Sequence, residues 1–139
     1  MLYRRWHNRA ELVVATLRSH VGPLVDSVPD TGSLRADTLA VLRQARARQD
    51  ALGVDAIHGL LMELADLPQE MFTVGPAVML TVLGRAVARG EAAPARLTPL
   101  VAAVPIVLLR HEMLMSRARI PDAFLEAVVD EVFLPLVQR

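Results

Sequence analysis

The sequence predicts an all-α domain, and three observations support that prediction. Of its 139 residues, 53% are hydrophobic and 4% are aromatic, so the core is built from Leu, Val, Ala and Met, which suits packed helices better than a β-sandwich. Apolar residues recur at helical spacing almost throughout, and Pro and Gly divide the chain into segments of helical length. A chain of this length forms one domain with one core. We therefore expect one bundle of about six helices.

The first three predicted helices are separated by clear stop signals. The first spans residues 8–21, with Asn8 as its N-cap. The second begins after the N-cap Ser33 and ends at Gly53, and the third covers residues 54–67. Four arginines of the second helix fall mostly on its solvent side by helical phase: Arg35, Arg43, Arg46 and Arg48.

The fourth predicted helix covers residues 69–89. Gly75 and Pro76 near its first turns predict a kink, because Pro lacks the amide that the helix ladder needs. Gly90 follows the last apolar residue and predicts the end of the helix.

The last two predicted helices carry more apolar surface than one face can bury. Residues 96–116 are apolar nearly all round in their first half, and residues 122–137, capped by Asp122, show two adjacent apolar stripes. A chain this small cannot easily cover both from within. We therefore predict a partner for this surface, namely a second copy related by a two-fold axis.

Composition excludes several classes of protein. Fifteen basic residues balance fifteen acidic ones, so no overall field favours nucleic acid or a membrane surface. The basic cluster within residues 1–20 fits a phosphate contact or a solvated helix end. Cysteine is absent, which excludes disulfides and fits a reducing compartment. The uncharged run at residues 97–109 is shorter than the ~20 residues of a membrane span, and no signal-peptide pattern is present. We expect a cytoplasmic protein.

Catalytic and metal-binding motifs are not found in the sequence. Arg110 to Met113 places a histidine beside a glutamate, but neighbours on a helix point in different directions. Asp55 and His58 have the spacing of two metal ligands, but without a third ligand a hydrogen-bonded histidine at a cavity wall is the favoured explanation. We predict neither enzyme activity nor a cofactor or metal.

Flexible apolar side chains are concentrated in the middle and later helices. Such residues fill irregular cores and also line adaptable binding pockets, and periodicity alone favours the core. They are Met62, Met71, Phe72, Met79, Met113 and Met115.

The opening stretch "LYRRWHNRAELV" resembles the junction between the recognition helix and the fourth helix of tetracycline-repressor (TetR) family transcriptional regulators. That junction follows the pattern Leu/Ile-Tyr-x-x-Trp/Phe-x-x-Lys-x-x-Leu. Leu2, Tyr3, Trp6, Arg9 and Leu12 match it in register, with Arg9 in place of the usual lysine. Three weaker resemblances follow in the family's order: "PDTGSLRADTLAVLR", "RAVARGE" and "IPDAFLEAVVDEVFLPLV".

The resemblance implies that residues 1–7 end a DNA-binding domain and that residues 8–139 form an effector-binding and dimerisation domain. The last two helices of each subunit would form a four-helix dimer interface. Its predicted residues are Val104, Leu108, Phe124, Leu125, Val128, Val129, Val132 and Phe133. A small apolar effector would bind among the middle helices, lined by Leu17, Leu42, His58, Met62, Met79, Leu108 and His111. Tyr3 and Arg9 match positions that contact DNA phosphates.

The chain departs from the family pattern at its start. Only Met1 precedes the motif, so a complete helix-turn-helix is lacking and we expect no binding to an operator by this polypeptide alone. Operator DNA would be a partner only if an intact helix-turn-helix is present. One alternative is a stand-alone helical protein that binds a small molecule or pairs with a full-length regulator without binding DNA.

Overall fold

The computed structural model describes residues 28–52, 70–116 and 118–138. All regular secondary structure in these ranges is helical, which confirms the predicted all-α class. The predicted helices over residues 8–21 and 54–67 lie outside the described residues.

The first described helix, α1, spans Leu34–Leu52, as its sequence signals predict. Ser33 is its N-cap, because the Ser33 hydroxyl accepts a hydrogen bond from the amide of Ala36 at 3.3 Å. The Ser33 carbonyl accepts the first helical bond, from the amide of Asp37 at 2.9 Å. The cap thereby satisfies one of the amides that every helix start leaves without a partner.

The second helix, α2, spans Glu70–Ala88 and ends in a left-handed turn at Gly90, whose φ is +81°. The amides of Gly90 and Glu91 donate to the carbonyls of Val87 at 3.0 Å and Ala86 at 2.8 Å. These two bonds form the Schellman motif, which favours glycine because a side chain is strained at positive φ. The predicted helix end is confirmed.

A polar network joins the start of α1 to the end of α2. Asp37 is fully buried, and its Oδ1 accepts hydrogen bonds from the Thr31 amide at 2.6 Å and hydroxyl at 2.7 Å. Its Oδ2 lies 3.8 Å from Arg89 Nη2. Glu91 pairs with Arg89 at 2.6 Å and accepts from the amide of Leu34 at 3.3 Å. These contacts fix the loop before α1 against the end of α2.

The third helix, α3, spans Pro99–Met115 and follows a 3₁₀ turn at Pro94–Arg96. The Thr98 hydroxyl accepts from the amide of Val101 at 3.2 Å. Because Thr98 caps the helix and Pro99 suits its first position, α3 begins three residues later than the apolar pattern predicts.

Helices α2 and α3 approach each other closely at Gly75. A Cβ at this position would lie 3.0 Å from Cγ2 of Ile106, which is closer than side-chain carbons normally pack. Pro76 lies within α2, next to this contact. A side chain at residue 75 would therefore require Ile106 of α3 to move by a few tenths of an ångström.

The last helix, α4, covers residues 122–137 in three consecutive segments. They are α-helical Asp122–Ala127, π-helical Val128–Phe133 and α-helical Leu134–Val137. In the π segment the amide of Leu134 donates to the carbonyl of Val129, five residues back. Pro135 follows directly, and since it has no amide and its ring crowds the preceding turn, a wider turn accommodates it. The predicted helix is correct in its bounds but interrupted in its hydrogen bonding.

Asp122 is not the N-cap that the sequence predicts for α4. Pro121 holds the cap position, and no side chain caps the helix. The Asp122 carboxylate instead contacts Arg46 at 2.6 Å and Arg43 at 3.9 Å, both on α1. A guanidinium that reaches across from α1 has replaced the backbone amides as the partner of this carboxylate.

A line of ion pairs, here called the α1–α4 ladder, connects the two helices. Arg35 binds Asp130 through two hydrogen bonds at 2.8 and 3.0 Å, and Arg46 binds Asp122. The partner number falls as the α1 number rises, so the helices run antiparallel. Three of the four arginines predicted to lie on the solvent side of α1, namely Arg35, Arg43 and Arg46, therefore contact aspartates of α4.

The core lies between all four helices. It contains Leu39 and Leu42 of α1, Met79 and Leu83 of α2, and Phe133 of α4, each at most 4% exposed. No helix in the described ranges is long and apolar enough to cross a membrane.

Candidate functional site

The large exposed hydrophobic side chains among the described residues are confined to one part of the molecule. All six lie just before α3, in α3 or in α4: Leu97, Leu100, Val107, Leu114, Met115 and Val132. Exposed apolar surface that is concentrated in this way is typical of an interaction site.

Helix α3 presents the larger part of this surface. Leu100, Val107 and Leu114 are 80%, 50% and 36% exposed and are spaced seven residues apart, which is two helical turns. They therefore form one stripe along the helix. No charged residue occurs in α3 before Arg110, and the opposite side of the helix packs into the core through Ala102 and other residues.

Helix α4 adds Val132, which is 42% exposed and belongs to the π segment that packs against α3. We call the exposed set Leu100, Val107, Leu114, Met115 and Val132 the outer face. Half-buried apolar residues also belong to these two helices: Val104, Leu108, Phe124 and Leu136.

The structure divides the predicted dimer-interface residues into two groups. Val104, Leu108 and Phe124 are half-buried, and Val132 is exposed. The other four are at most 4% exposed within a single chain and belong to its core: Leu125, Val128, Val129 and Phe133. Helical phase counted along an uninterrupted α-helix does not separate the groups, because the π segment changes the phase in the middle of α4.

The predicted effector residues are not brought together as one set. Leu17, His58 and Met62 lie outside the described residues. Leu42 and Met79 are fully buried and belong to the same core cluster. Leu108 is half-buried and His111 is exposed on α3, so neither shares the full burial of Leu42 and Met79.

Polar groups are also held inside the protein near the end of α1. Gln49 is 3% exposed. Burial lowers the pKa of the Arg48 guanidinium, whose Nε donates to the carbonyl of Gln44 at 3.3 Å. Burial also lowers the pKa of Arg110 on α3. Gln49 gives the interior a polar position that the sequence prediction did not include, whereas Arg48 and Arg110 are half-buried.

Two of the four acidic residues of α4, Asp122 and Asp130, form ion pairs with α1. A hydrogen bond from Arg46 lowers the pKa of Asp122, and one from Arg35 lowers the pKa of Asp130. The hydrogen bond to Asp130 raises the pKa of Arg35 in turn. Both carboxylates are therefore ionised at neutral pH and are neutralised by partners within the same chain.

His111 and Glu112, the neighbouring acid and base that the sequence offers for catalysis, lie in the last turns of α3. His111 is exposed and Glu112 is half-buried. Asp55 and His58 lie outside the described residues.

Four helices around one core, with exposed apolar side chains concentrated on the last two helices, define a helical domain with a candidate interaction surface. The family profile "Tetracyclin repressor-like, C-terminal domain" matches residues 28–132. The chain therefore belongs to the TetR family of transcriptional regulators, as its opening motif predicts.

Curated relatives agree with this assignment. A "DNA-binding transcriptional repressor TetR" of Mycobacteroides abscessus is 34% identical, and the match covers 99% of this chain and 75% of the relative. Uncharacterized HTH-type transcriptional regulators of Mycobacterium bovis and Mycobacterium tuberculosis are each 31% identical, over 99% of this chain and 71% of theirs. No solved structure gives a significant match.

Sequence reasoning missed the most exposed apolar residues. Leu100, Val107, Leu114 and Met115 were not among the predicted interface positions. The signal that could have identified the first three was present, because a seven-residue spacing in a segment with few charges is typical of a helix that packs against another helix.

Proposed function

We propose that this chain supplies the dimerisation and effector-binding domain of a TetR-type transcriptional regulator. The single observation that carries the dimerisation part is the outer face. Leu100, at 80% exposure, and Met115, at 72%, are large apolar side chains whose burial would each contribute about 1.5–3 kcal/mol. An interface across α3 and α4 would recover this free energy.

A second copy of the chain is the partner that best fits the outer face. A straight stripe at seven-residue spacing packs against a similar stripe on another helix. In a two-fold dimer each copy supplies the same stripe, so a self-complementary apolar surface needs no other protein. The acidic residues Asp122 and Asp130 of α4 are already paired with α1 and need no counter-ion from the partner.

The effector site is proposed within the helical bundle. Leu42 and Met79 belong to one apolar cluster, and the proposal retains Leu17, His58 and Met62 as lining residues. Gln49 provides a buried polar group in the same helix as Leu42. A small, mainly apolar molecule with one polar end fits such a lining, because pockets of this kind combine apolar walls with few polar groups.

Control of transcription is proposed from family membership. In TetR-type regulators a helix-turn-helix reads the operator, and Tyr3 and Arg9 remain predicted phosphate contacts outside the described residues. The helices α1 to α4 would contribute the dimer that sets the spacing of two DNA-binding heads. Formation of mixed dimers with a full-length relative, without operator binding, would instead favour the stand-alone alternative.

A thermal-shift series tests the effector site. We expect single-chain amphiphiles of graded length to raise the melting temperature, since a ligand that binds only the folded state stabilises it. For the best ligand, His58→Ala should weaken binding about 2-fold to 10-fold, the effect of one lost hydrogen bond. The proposed site leaves out His111, because its side chain is exposed, so the control His111→Ala should leave affinity unchanged.

Two results would contradict the proposed effector site. One is the absence of a shift with every amphiphile at concentrations far above their expected dissociation constants. The other is equal loss of affinity in the His58→Ala and His111→Ala variants, which would move the polar contact to another part of the protein.

A further inference from the structure

The pattern of buried residues in α4 changes partway along the helix. Leu125 and Val129 face the core at 0% exposure, and so do Phe133 and Val137. Val132, however, is 42% exposed. The spacing between successive residues at 0% exposure is four throughout, which a uniform α-helix cannot maintain on one face; Val128, at 4%, is buried beside Val129.

Regular α-helical geometry would give a different result. At about 100° per residue, the positions seven and eleven residues after Leu125 return to within about 20° of it. These are Val132 and Leu136. Phe133 and Val137 would lie about 80° and 120° away from Leu125, at the edge of the core or outside it. The observed burial is the reverse of this expectation.

The π segment explains the reversal. A π turn accommodates one residue more than an α turn over the same length, so the helix after Val128–Phe133 is rotated back by about 100° relative to an uninterrupted α-helix. This rotation returns Phe133 and Val137 to the core and moves Val132 outward. The two apolar stripes in the sequence of α4 are thus used for different purposes.

We propose that the π segment accommodates one extra residue in α4, so that Phe133 and Val137 keep the core phase of Leu125 while Val132 lies on the outer face. The partner of that face is a second copy of this chain, so the inference rests on the proposed dimer. The outer-face stripe of α3 already exists without the insertion. Val132 extends the apolar surface onto α4, so that two helices of each copy meet the partner.

Glu131 is the residue whose removal tests this proposal most cleanly. It lies in the π segment and its side chain is exposed. Its neighbour Asp130 is less suitable, because Asp130 is bound to Arg35 at 2.8 Å. Deleting Glu131 should convert the π segment to regular α-helix while Phe133 and Val137 stay in phase with Leu125.

Pro135 must be replaced in the same chain. In a regular α-helix Pro135 would occupy an interior position, where proline costs about 3 kcal/mol. The test variant is therefore a Glu131 deletion combined with Pro135→Ala, and Pro135→Ala alone is its reference. A matched control is deletion of Thr81, which is exposed in the middle of α2, between the buried pairs Val78–Met79 and Val82–Leu83.

Circular dichroism and light scattering supply the two readouts. We expect the Glu131 deletion to melt within about 5 °C of its Pro135→Ala reference, a difference equivalent to roughly 1 kcal/mol, and to remain a dimer. Deletion of Thr81 should abolish cooperative melting, because it turns half of α2 out of the core. A Glu131 deletion that behaves like the Thr81 deletion would overturn the insertion.

The outcomes separate this inference from the proposed dimer. If both the wild type and the Pro135→Ala reference are monomers, the proposed dimer is contradicted, whatever the melting temperature of the deletion variant. A dimeric reference with an unfolded Glu131 deletion would contradict the insertion alone. A folded but monomeric Glu131 deletion would contradict the role given to Val132, because the deletion leaves Val132 about 120° from Leu125, as it is in the wild type.

Discussion

At the scale of single residues, two buried polar side chains of α1 have different roles. Asp37 is fully buried but accepts two hydrogen bonds from Thr31 and lies near Arg89, so its burial organises the loop before α1. Thr38 is also fully buried, and its hydroxyl has no hydrogen-bond partner in the described part of the chain. A buried hydroxyl without a partner costs free energy of folding, whereas the hydrogen bonds to Oδ1 offset part of the cost of burying Asp37, whose Oδ2 has no hydrogen-bond partner among the described residues.

Replacing Thr38 with valine is expected to stabilise the protein. Valine has a similar shape and removes the unpaired hydroxyl, so the free energy of unfolding should rise by about 1–2 kcal/mol. Urea denaturation measures the change. Thr81→Val is the control, because Thr81 is exposed and its hydroxyl donates only to the carbonyl of Ala77 in its own helix; it should change stability by less than about 0.5 kcal/mol. A destabilised Thr38→Val protein would contradict the assignment.

At the scale of elements, the α1–α4 ladder makes the stability depend on pH. The pKa values of Asp122 and Asp130 are lowered by hydrogen bonds from Arg46 and Arg35. A carboxylate whose pKa is lower in the folded state contributes its stability above the unfolded value of about 3.9. That contribution is lost as the pH falls through the lowered folded value.

A double variant, Asp122→Asn with Asp130→Asn, tests the ladder. At pH 7 it should be less stable than wild type, because both ion pairs are lost. As the pH falls below about 4, the difference should shrink, since protonation removes the same interactions from the wild type. Urea midpoints across this pH range measure the effect. A difference that stays constant with pH would show that the aspartates do not act through their charge.

Helix positions could be predicted from the sequence because their signals are local. Ser33 and Gly90 act within one turn of the helix they begin or end, so the bounds of α1 and the end of α2 followed from residue type and spacing. The partner of Asp122 could not be predicted in this way. Asp122 contacts Arg46 instead of capping α4. Arg46 is distant in sequence and lies next to Asp122 only after α1 and α4 pack.

The π segment explains why the site was only partly predicted. Counting by 3.6 residues identified two apolar stripes in α4 but placed Phe133 among the interface residues, where the structure has it in the core. The stripes themselves, together with Pro135, were visible in the sequence. Which stripe faces the core and which faces solvent could be assigned only from the backbone conformation. One additional residue in a turn of the helix reverses that assignment.

At the scale of the whole molecule, the outer face is the surface where we propose that two copies of the chain meet. Val107 lies in the middle of the α3 stripe and is 50% exposed in one chain. In a monomer, a glutamate at residue 107 would stay in contact with solvent. In a dimer, each copy would bury one such glutamate without a counter-ion. We expect the dimer dissociation constant to rise at least 100-fold, which corresponds to about 2.7 kcal/mol.

Two control variants separate loss of the dimer from loss of the fold. Ala77→Glu introduces the same charge at an exposed position on α2 and should leave both unchanged. Phe133→Glu places it in the core, at a residue with 0% exposure, and should prevent folding. Circular dichroism of all three proteins establishes which are folded before their masses are compared.

The most direct test of the central claim is the mass in solution of wild type and Val107→Glu, measured by light scattering across a dilution series. We expect twice the chain mass of 15.2 kDa for wild type and the single chain mass for a folded Val107→Glu. A wild type that stays at 15.2 kDa at all concentrations, or a Val107→Glu protein that dimerises as tightly as wild type, would contradict it.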